Sequence, residues 1–249
     1  MKLKKLIAVV LFVIIQQMVK SNPSNDSITV FNAGINGNNV ADLLTRLDKD
    51  VLQRSPDLVI LMIGTNDMLN TRNMLSINEY EKNYQVLISR IEEKASLVLM
   101  TIPPVYSPYI VMRKPELKWN ETRPQERVDS ANAVIRMLAE KNKCMLIDLN
   151  KILAGRGGSH PGKTSLFKNE ANSGINDGVH PTADGYSVIA AAVYQRIHLL
   201  KPEAKRIVCF GDSITYGYEV EGGGSTEGQC YPALLKKMLE EGGRSKAKD

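Results

Sequence analysis

Cysteine, histidine and tryptophan are scarce in this chain of 249 residues, which has three, three and one of them. Three cysteines cannot build a disulfide framework. Cys144 and Cys209 lie inside apolar runs, where a thiol behaves as a small hydrophobe. His, Cys and carboxylates nowhere gather at ligand spacing, so the sequence predicts no metal site and no cofactor. No apolar run reaches the roughly 20 residues that a membrane-spanning helix needs. Internal repeats and low-complexity tracts are missing as well. The formal charge of +5 includes four lysines within residues 1–21; without them 28 basic side chains face 27 acidic ones. No basic patch interleaves with aromatics, and nucleic acid is not an expected partner.

What the first residues do contain is a pattern. Lys2, Lys4 and Lys5 precede an apolar stretch at residues 6–15 and the polar pair Gln16-Gln17. A basic start followed by a short apolar core reads as a secretory signal. Cleavage is expected after Ser21; the alternative is the same segment kept as an anchor. Residues 22–249 then form one domain, long enough for its own core. A secreted or periplasmic protein is expected, without stable membrane association once the signal is removed.

Downstream, short apolar runs alternate with segments of helical period. Strands are predicted at residues 28–31, 58–63, 97–100, 144–147 and 207–210. Helices are predicted at 38–53, 77–94, 125–142, 182–199 and 231–241, the last stopped by Gly242-Gly243. Fully apolar strands between helices imply a mostly parallel sheet covered on both faces, a three-layer α/β/α domain. Two long loops, 102–123 and 155–178, are rich in Pro, Gly and polar residues, and loops of that length usually carry function. Tyr106, Tyr109, Met112 and Trp119 in the first offer a substrate wall. The segments 22–26 and 242–249 are polar and expected to be disordered.

Ligands of such sheets bind beyond the carboxyl ends of the strands. The run 207–210 stops at Gly211-Asp212-Ser213, which delivers a serine to the rim of the sheet. A nucleophilic serine needs a base, and the base an orienting acceptor. His198 falls inside a helix, and His160 sits in a Gly-rich loop with no acid nearby. His180 has Asp177 three residues before it, a spacing that in a turn can set a carboxylate beside an imidazole nitrogen; a helix-capping turn would also use it. Acyl transfer further requires donors aimed at an oxyanion. Asn66 follows the run 58–63, and Gly37 follows the run 28–31. Each, standing alone, also fits ordinary turn chemistry.

Together these blocks resemble the SGNH (GDSL-type) hydrolase family. The matching segments are Gly-Asp-Ser at 211–213, Asn-Ala-Gly-Ile-Asn-Gly at 32–37, Gly-Thr-Asn-Asp at 64–67 and Asp-Gly-Val-His-Pro at 177–181. The resemblance implies a flavodoxin-like fold, nucleophile Ser213, base His180 and orienter Asp177. It also implies an oxyanion hole made by the Ser213 and Gly37 backbone N–H groups and the Asn66 side chain. The expected activity is a serine esterase with an ester of a small molecule or polysaccharide as substrate. Acetylxylan is first among these by family analogy, with lysophospholipase, thioesterase or arylesterase activity as alternatives.

The order of the blocks departs from the family, where the serine block comes first. Here it comes last, within residues 205–241, so the sequence looks like a circular permutation. A triad is defined by geometry and not by chain order. One motif competes: residues 157–164 satisfy the P-loop pattern G-x-x-x-x-G-K-[ST]. A phosphate loop should run from a strand straight into a helix. Here the preceding strand is expected to end at Leu149 and little helical period follows, which leaves nucleotide binding a remote alternative.

Overall fold

The computed structural model describes residues 28–72, 74–115, 123–201 and 203–246. The expected signal segment 1–21, the linker 22–26 and Trp119 lie outside the described residues.

Five parallel strands form one sheet in the order β1-β5-β2-β3-β4. They are β1 (Thr29–Gly34), β2 (Leu58–Met62), β3 (Ser96–Met100), β4 (Met145–Ile147) and β5 (Arg206–Gly211). Each falls where an apolar run predicted it. The main helices are α1 (Val40–Asp50), α3 (Ile77–Glu92), α5 (Pro124–Asn142), α8 (Ala183–Leu200) and α10 (Tyr231–Lys246). Between them lie the short helices α2 (Thr65–Leu69), α4 (Ser107–Arg113), α6 (Leu149–Ala154), α7 (Glu170–Ser173) and α9 (Ser213–Tyr216).

Side chains alternate across a strand, and the two faces of the sheet feed two separate cores. Val59 and Leu61 of β2, with Val208 and Phe210 of β5, pack under α1, α3 and α5. Leu58, Ile60 and Met62, with Ile207 and Cys209, pack under α6, α8 and α10. Every residue of β2 is buried. That double burial explains why its sequence reads as an unbroken apolar run rather than an alternating one. Full burial of one such side chain stabilises the fold by about 1.5–3 kcal/mol.

Helix starts follow their capping chemistry. Asn39 caps α1 in a reciprocal box with Asp42, and Ser76 caps α3 in one with Glu79. Each box satisfies two backbone donors that the first turn leaves without partners.

Three expectations require correction. The loop 102–123 is not continuous, because α4 occupies its middle and Pro108 suits that helix's first turn. The strand before residues 157–164 ends at Ile147, and α6 follows it. The last helix does not stop at Gly242-Gly243 but runs to Lys246. A methyl group on Gly242 would press on the Tyr194 hydroxyl of α8. The glycine therefore serves close packing of α10 on α8 rather than termination.

Candidate active site

Parallel pairing aligns the carboxyl ends of three neighbouring strands. Gly211 of β5 lies opposite Gly34 of β1 on one side and Met62 of β2 on the other. Everything that follows these residues is thereby delivered to one rim. Beyond Gly211, Asp212 caps α9 by accepting from the Ile214 N–H at 2.9 Å, and Ser213 begins that helix. A side chain on Gly211 would overlap the Met62 carbonyl oxygen and Thr215, and one on Gly34 would overlap the backbone of Tyr216. Two glycines thus let α9 sit directly on the strand ends and hold Ser213 at the rim.

The Asp177 to His180 turn comes from the other side. Asp177 accepts from the Val179 N–H at 2.7 Å and the His180 N–H at 2.6 Å through Oδ1, folding the turn on its own carboxylate. Its second oxygen lies 2.8 Å from His180 Nδ1. Nε2 of the same ring lies 3.0 Å from Ser213 Oγ. An ionised carboxylate only accepts. The proton of a neutral imidazole therefore belongs on Nδ1, and Nε2 faces the serine hydroxyl as an acceptor. Burial pushes the Asp177 carboxyl up, but the His180 ring and the two backbone N–H groups outweigh it and hold it below its ordinary value. The acceptor thus stays ionised when the ring beside it takes up a proton.

A cavity of about 310 Å³ opens on this arrangement. Ser213, His180 and Asp177 line it, together with Gly37 and Asn66. All five residues singled out in the sequence are thus brought to one place. Gly37 has φ of 80°, a backbone conformation that favours glycine. Asn66 donates one amide hydrogen to the Asn38 carbonyl at 2.9 Å and accepts from Asn70 at 3.1 Å. An amide carries two donors, so its plane is fixed while its second N–H has no partner among the described residues.

The other two histidines stand apart. His160 accepts from the Gly162 N–H within its own turn, at 3.1 Å, and does not line the cavity. His198 stacks on Tyr194 on the surface of α8. The P-loop pattern at 157–164 lacks the required context: α6 precedes it and the next helix begins only at Glu170.

Several site residues gave no sequence signal. Tyr218 lays its ring against His180, with centroids 4.6 Å apart. Arg113 donates to the Asp177 carbonyl at 2.6 Å and lines the cavity beside Ile110 and Val179. Met112 is exposed, and of the expected aromatic wall Tyr106 and Tyr109 pack edge to face outside the cavity lining. Tyr106 instead braces the catalytic-looking turn, donating its N–H to the Gly178 carbonyl at 2.8 Å.

Behind the rim, Asp67 is fully buried and accepts from the Val40 N–H at 2.9 Å. Its other oxygen has no hydrogen bond among the described residues. Burial, with the nearby Asp212 charge adding to it, pushes this carboxyl up to about 7. Burial pushes Asp212 up too, to about 6, against the pull of the Ile214 N–H.

Comparison with known proteins gives concordant results. The model of the GDSL-like Lipase/Acylhydrolase family matches residues 14–188. An acetylxylan esterase of Geobacillus stearothermophilus is 27% identical over 175 residues, covering 68% of this chain and 72% of the relative. Among solved structures, a lipase/acylhydrolase from Enterococcus faecalis superposes with a TM-score of 0.50 at 27% identity, covering 65% of this chain and 71% of that one. The fold is also that of an acetyl xylan esterase AlAXEase, with a TM-score of 0.54 at 24% identity over 74% of this chain and 89% of that one.

Proposed function

This chain belongs to the GDSL-like lipase/acylhydrolase family, and we propose that within it the protein is an exported serine esterase that removes acetyl groups from plant polysaccharide of the acetylxylan type. The observation that carries the chemistry is His180, whose two ring nitrogens reach Ser213 and Asp177 at 3.0 and 2.8 Å.

Ser213 Oγ attacks the ester carbonyl while Nε2 of His180 takes the hydroxyl proton. The ionised Asp177 holds the imidazole in the Nδ1–H tautomer and stabilises the imidazolium that forms. Charge develops on the former carbonyl oxygen. The backbone N–H groups of Ser213 and Gly37 and the Asn66 amide receive it. Collapse of this intermediate expels the alcohol, which takes the proton back from His180. Water, activated in turn by His180, then attacks the acyl-serine and releases the acid. One ester and one water become one acid and one alcohol.

Two observations favour an acetylated sugar over a lipid. Asn36, Asn66 and Asn70 are among the residues that line the cavity, a polar contribution suited to a hydrophilic alcohol. The curated relative at 27% identity is an acetylxylan esterase. Export rests on the basic and apolar pattern of residues 2–15.

We also read the domain as circularly permuted. The family model, matched in linear order, stops at residue 188 and leaves out Ser213. The strand that carries the serine lies between β1 and β2 in space although it follows both in sequence. α10, which follows it, packs on β1, so the break that separates these two in sequence falls between elements that are neighbours in space.

A serine-directed phosphonate followed by intact-mass measurement tests the chemistry. A single adduct that disappears in Ser213→Ala supports it; no adduct, together with no hydrolysis of p-nitrophenyl acetate, overturns it. Release of acetate from acetylated xylan, set against hydrolysis of long-chain esters and lysophospholipid, decides the substrate.

A further inference from the structure

Lys168 is 6% exposed, yet it carries an ammonium group. A buried cation is costly unless its donors are met. Here Nζ donates to the Tyr218 carbonyl at 3.1 Å and to the Glu219 carbonyl at 2.8 Å, and the Glu219 carboxylate lies 3.5 Å away. Two of its N–H donors meet carbonyl oxygens, and the carboxylate balances its charge. Burial lowers the affinity of this amine for its proton, and Glu219 works against that.

Both carbonyls belong to the turn that follows Ser213. That turn is itself tied to the serine, since the Tyr218 N–H donates to the Ser213 carbonyl at 3.0 Å. Glu219 adopts φ of 54°, an uncommon conformation for a residue with a side chain. The contacts of Lys168 oppose its relaxation. The backbone of Lys168 faces the other way. Its N–H donates to the His180 carbonyl at 2.9 Å, and its carbonyl accepts from the Gly178 N–H at 2.8 Å. One residue therefore joins the Asp177 to His180 turn, through its main chain, to the Tyr218-Glu219 turn, through its side chain.

What lies between the two turns is the pair of rings. Tyr218 covers the face of His180, its centroid 4.6 Å away and its plane inclined by 40°. An imidazole held at its edge by Asp177 can still swing about its side-chain torsions. A ring against its face removes that freedom.

We propose that Lys168 is a positioning residue: its buried ammonium holds the Tyr218 ring against His180 and so keeps the imidazole aligned between Asp177 and Ser213. This inference rests on the esterase reading above and adds to it a residue that touches neither substrate nor reacting atoms.

The test compares Lys168→Met, which keeps the length of the stem and removes the charge, with Tyr218→Leu and the double variant. Turnover of p-nitrophenyl acetate is expressed per serine titrated by the phosphonate, so that unfolded protein does not count. Misalignment of a catalytic group typically costs about 10- to 100-fold, and that loss is expected in kcat for each single variant, with KM within about twofold of wild type. Because both substitutions break one chain of contacts, the double variant should be no worse than about twofold below the poorer single one. Wild-type kcat per titrated serine in Lys168→Met, or losses that multiply in the double variant, overturns the proposal. If Lys168→Met does not fold, Tyr218→Leu decides alone, because it leaves the buried cation in place; an unchanged kcat there overturns the proposal too. An unmodified protein that is neither labelled nor active removes the esterase reading itself, a result distinct from any of these.

Discussion

Nε2 of His180 lies 3.0 Å from Oγ of Ser213, across 33 residues of sequence and two separate turns. Among the described residues no comparable contact involves His160, whose ring nitrogen accepts from the Gly162 N–H. The two histidines are therefore expected to behave differently. His160→Ala should leave kcat/KM close to wild type, while His180→Ala should lose most of it. Steady-state hydrolysis of p-nitrophenyl acetate checks both, and equal losses would mean that the base is misassigned.

Asp177→Asn should fold and bind substrate, because the amide oxygen can still accept from the Val179 and His180 N–H groups. The remaining amide nitrogen is a donor, however, and it favours the tautomer with the proton on Nε2. A loss in kcat approaching about 10⁴ is expected, with KM little changed. A kinetic comparison at one pH suffices, and a loss below tenfold would argue against an ionised orienter.

Asn66→Ala removes one donor from the rim. The expected loss is about 10²–10³ in kcat, the usual cost of one oxyanion-hole group. Asn66 also accepts from Asn70 at 3.1 Å, so the melting temperature of the variant should be read alongside its rate. A rate near wild type in a folded variant would take Asn66 out of the mechanism.

The stability of the fold should fall as pH rises from the ordinary carboxylate range toward neutrality. Burial raises Asp67 from 3.8 to about 7. Between those values the folded state holds a proton that the unfolded chain has released, so ionisation favours unfolding. At about 1.4 kcal/mol per pKa unit, this amounts to a few kcal/mol, fully expressed above pH 7. Asp212, raised to about 6, acts with the same sign. Asp67→Asn keeps an acceptor for the Val40 N–H and removes the titration. Its denaturant midpoint should change less between pH 4 and pH 8 than that of the unmodified protein. Parallel profiles for the two proteins would refute the assignment.

Gly211→Ala should destabilise by about 1–3 kcal/mol, a typical cost of overpacking. The added methyl would meet the Met62 backbone carbonyl, which cannot move without disturbing the β2 to β5 ladder. Gly242→Ala should cost much less, because its obstacle is the tip of the Tyr194 side chain. Chemical denaturation of the two variants side by side makes the comparison.

How legible all of this was in the sequence follows from the range of the interactions involved. The strands could be read because both faces are buried, which leaves an apolar run that no helix periodicity imitates. The Asp177 to His180 turn could be read because the carboxylate meets its own local backbone within three residues. Tyr218, Arg113 and Lys168 could not, since what matters about each is a contact with a segment 38 to 64 residues away. Gly242 is ambiguous for the same reason: a glycine that ends a helix and one that admits a neighbouring helix look alike until the neighbour is known. Loop composition does not say which side chains face the cavity: Ile110 and Arg113 of the loop line it, while Tyr106 braces the neighbouring turn.

The place of β5 between β1 and β2 has a consequence for how the chain is made. During synthesis β1 and β2 leave the ribosome with a vacant slot between them, and the strand that fills it follows only after more than half of the sequence. Until then two hydrogen-bonding edges stand open and the cores on either side lack one interior strand. Such long-range closure is slow and leaves intermediates prone to aggregation. The same arrival brings Ser213 to His180, so completion of the sheet and formation of that contact are a single event. A nascent chain that stalls before that point carries His180 without Ser213.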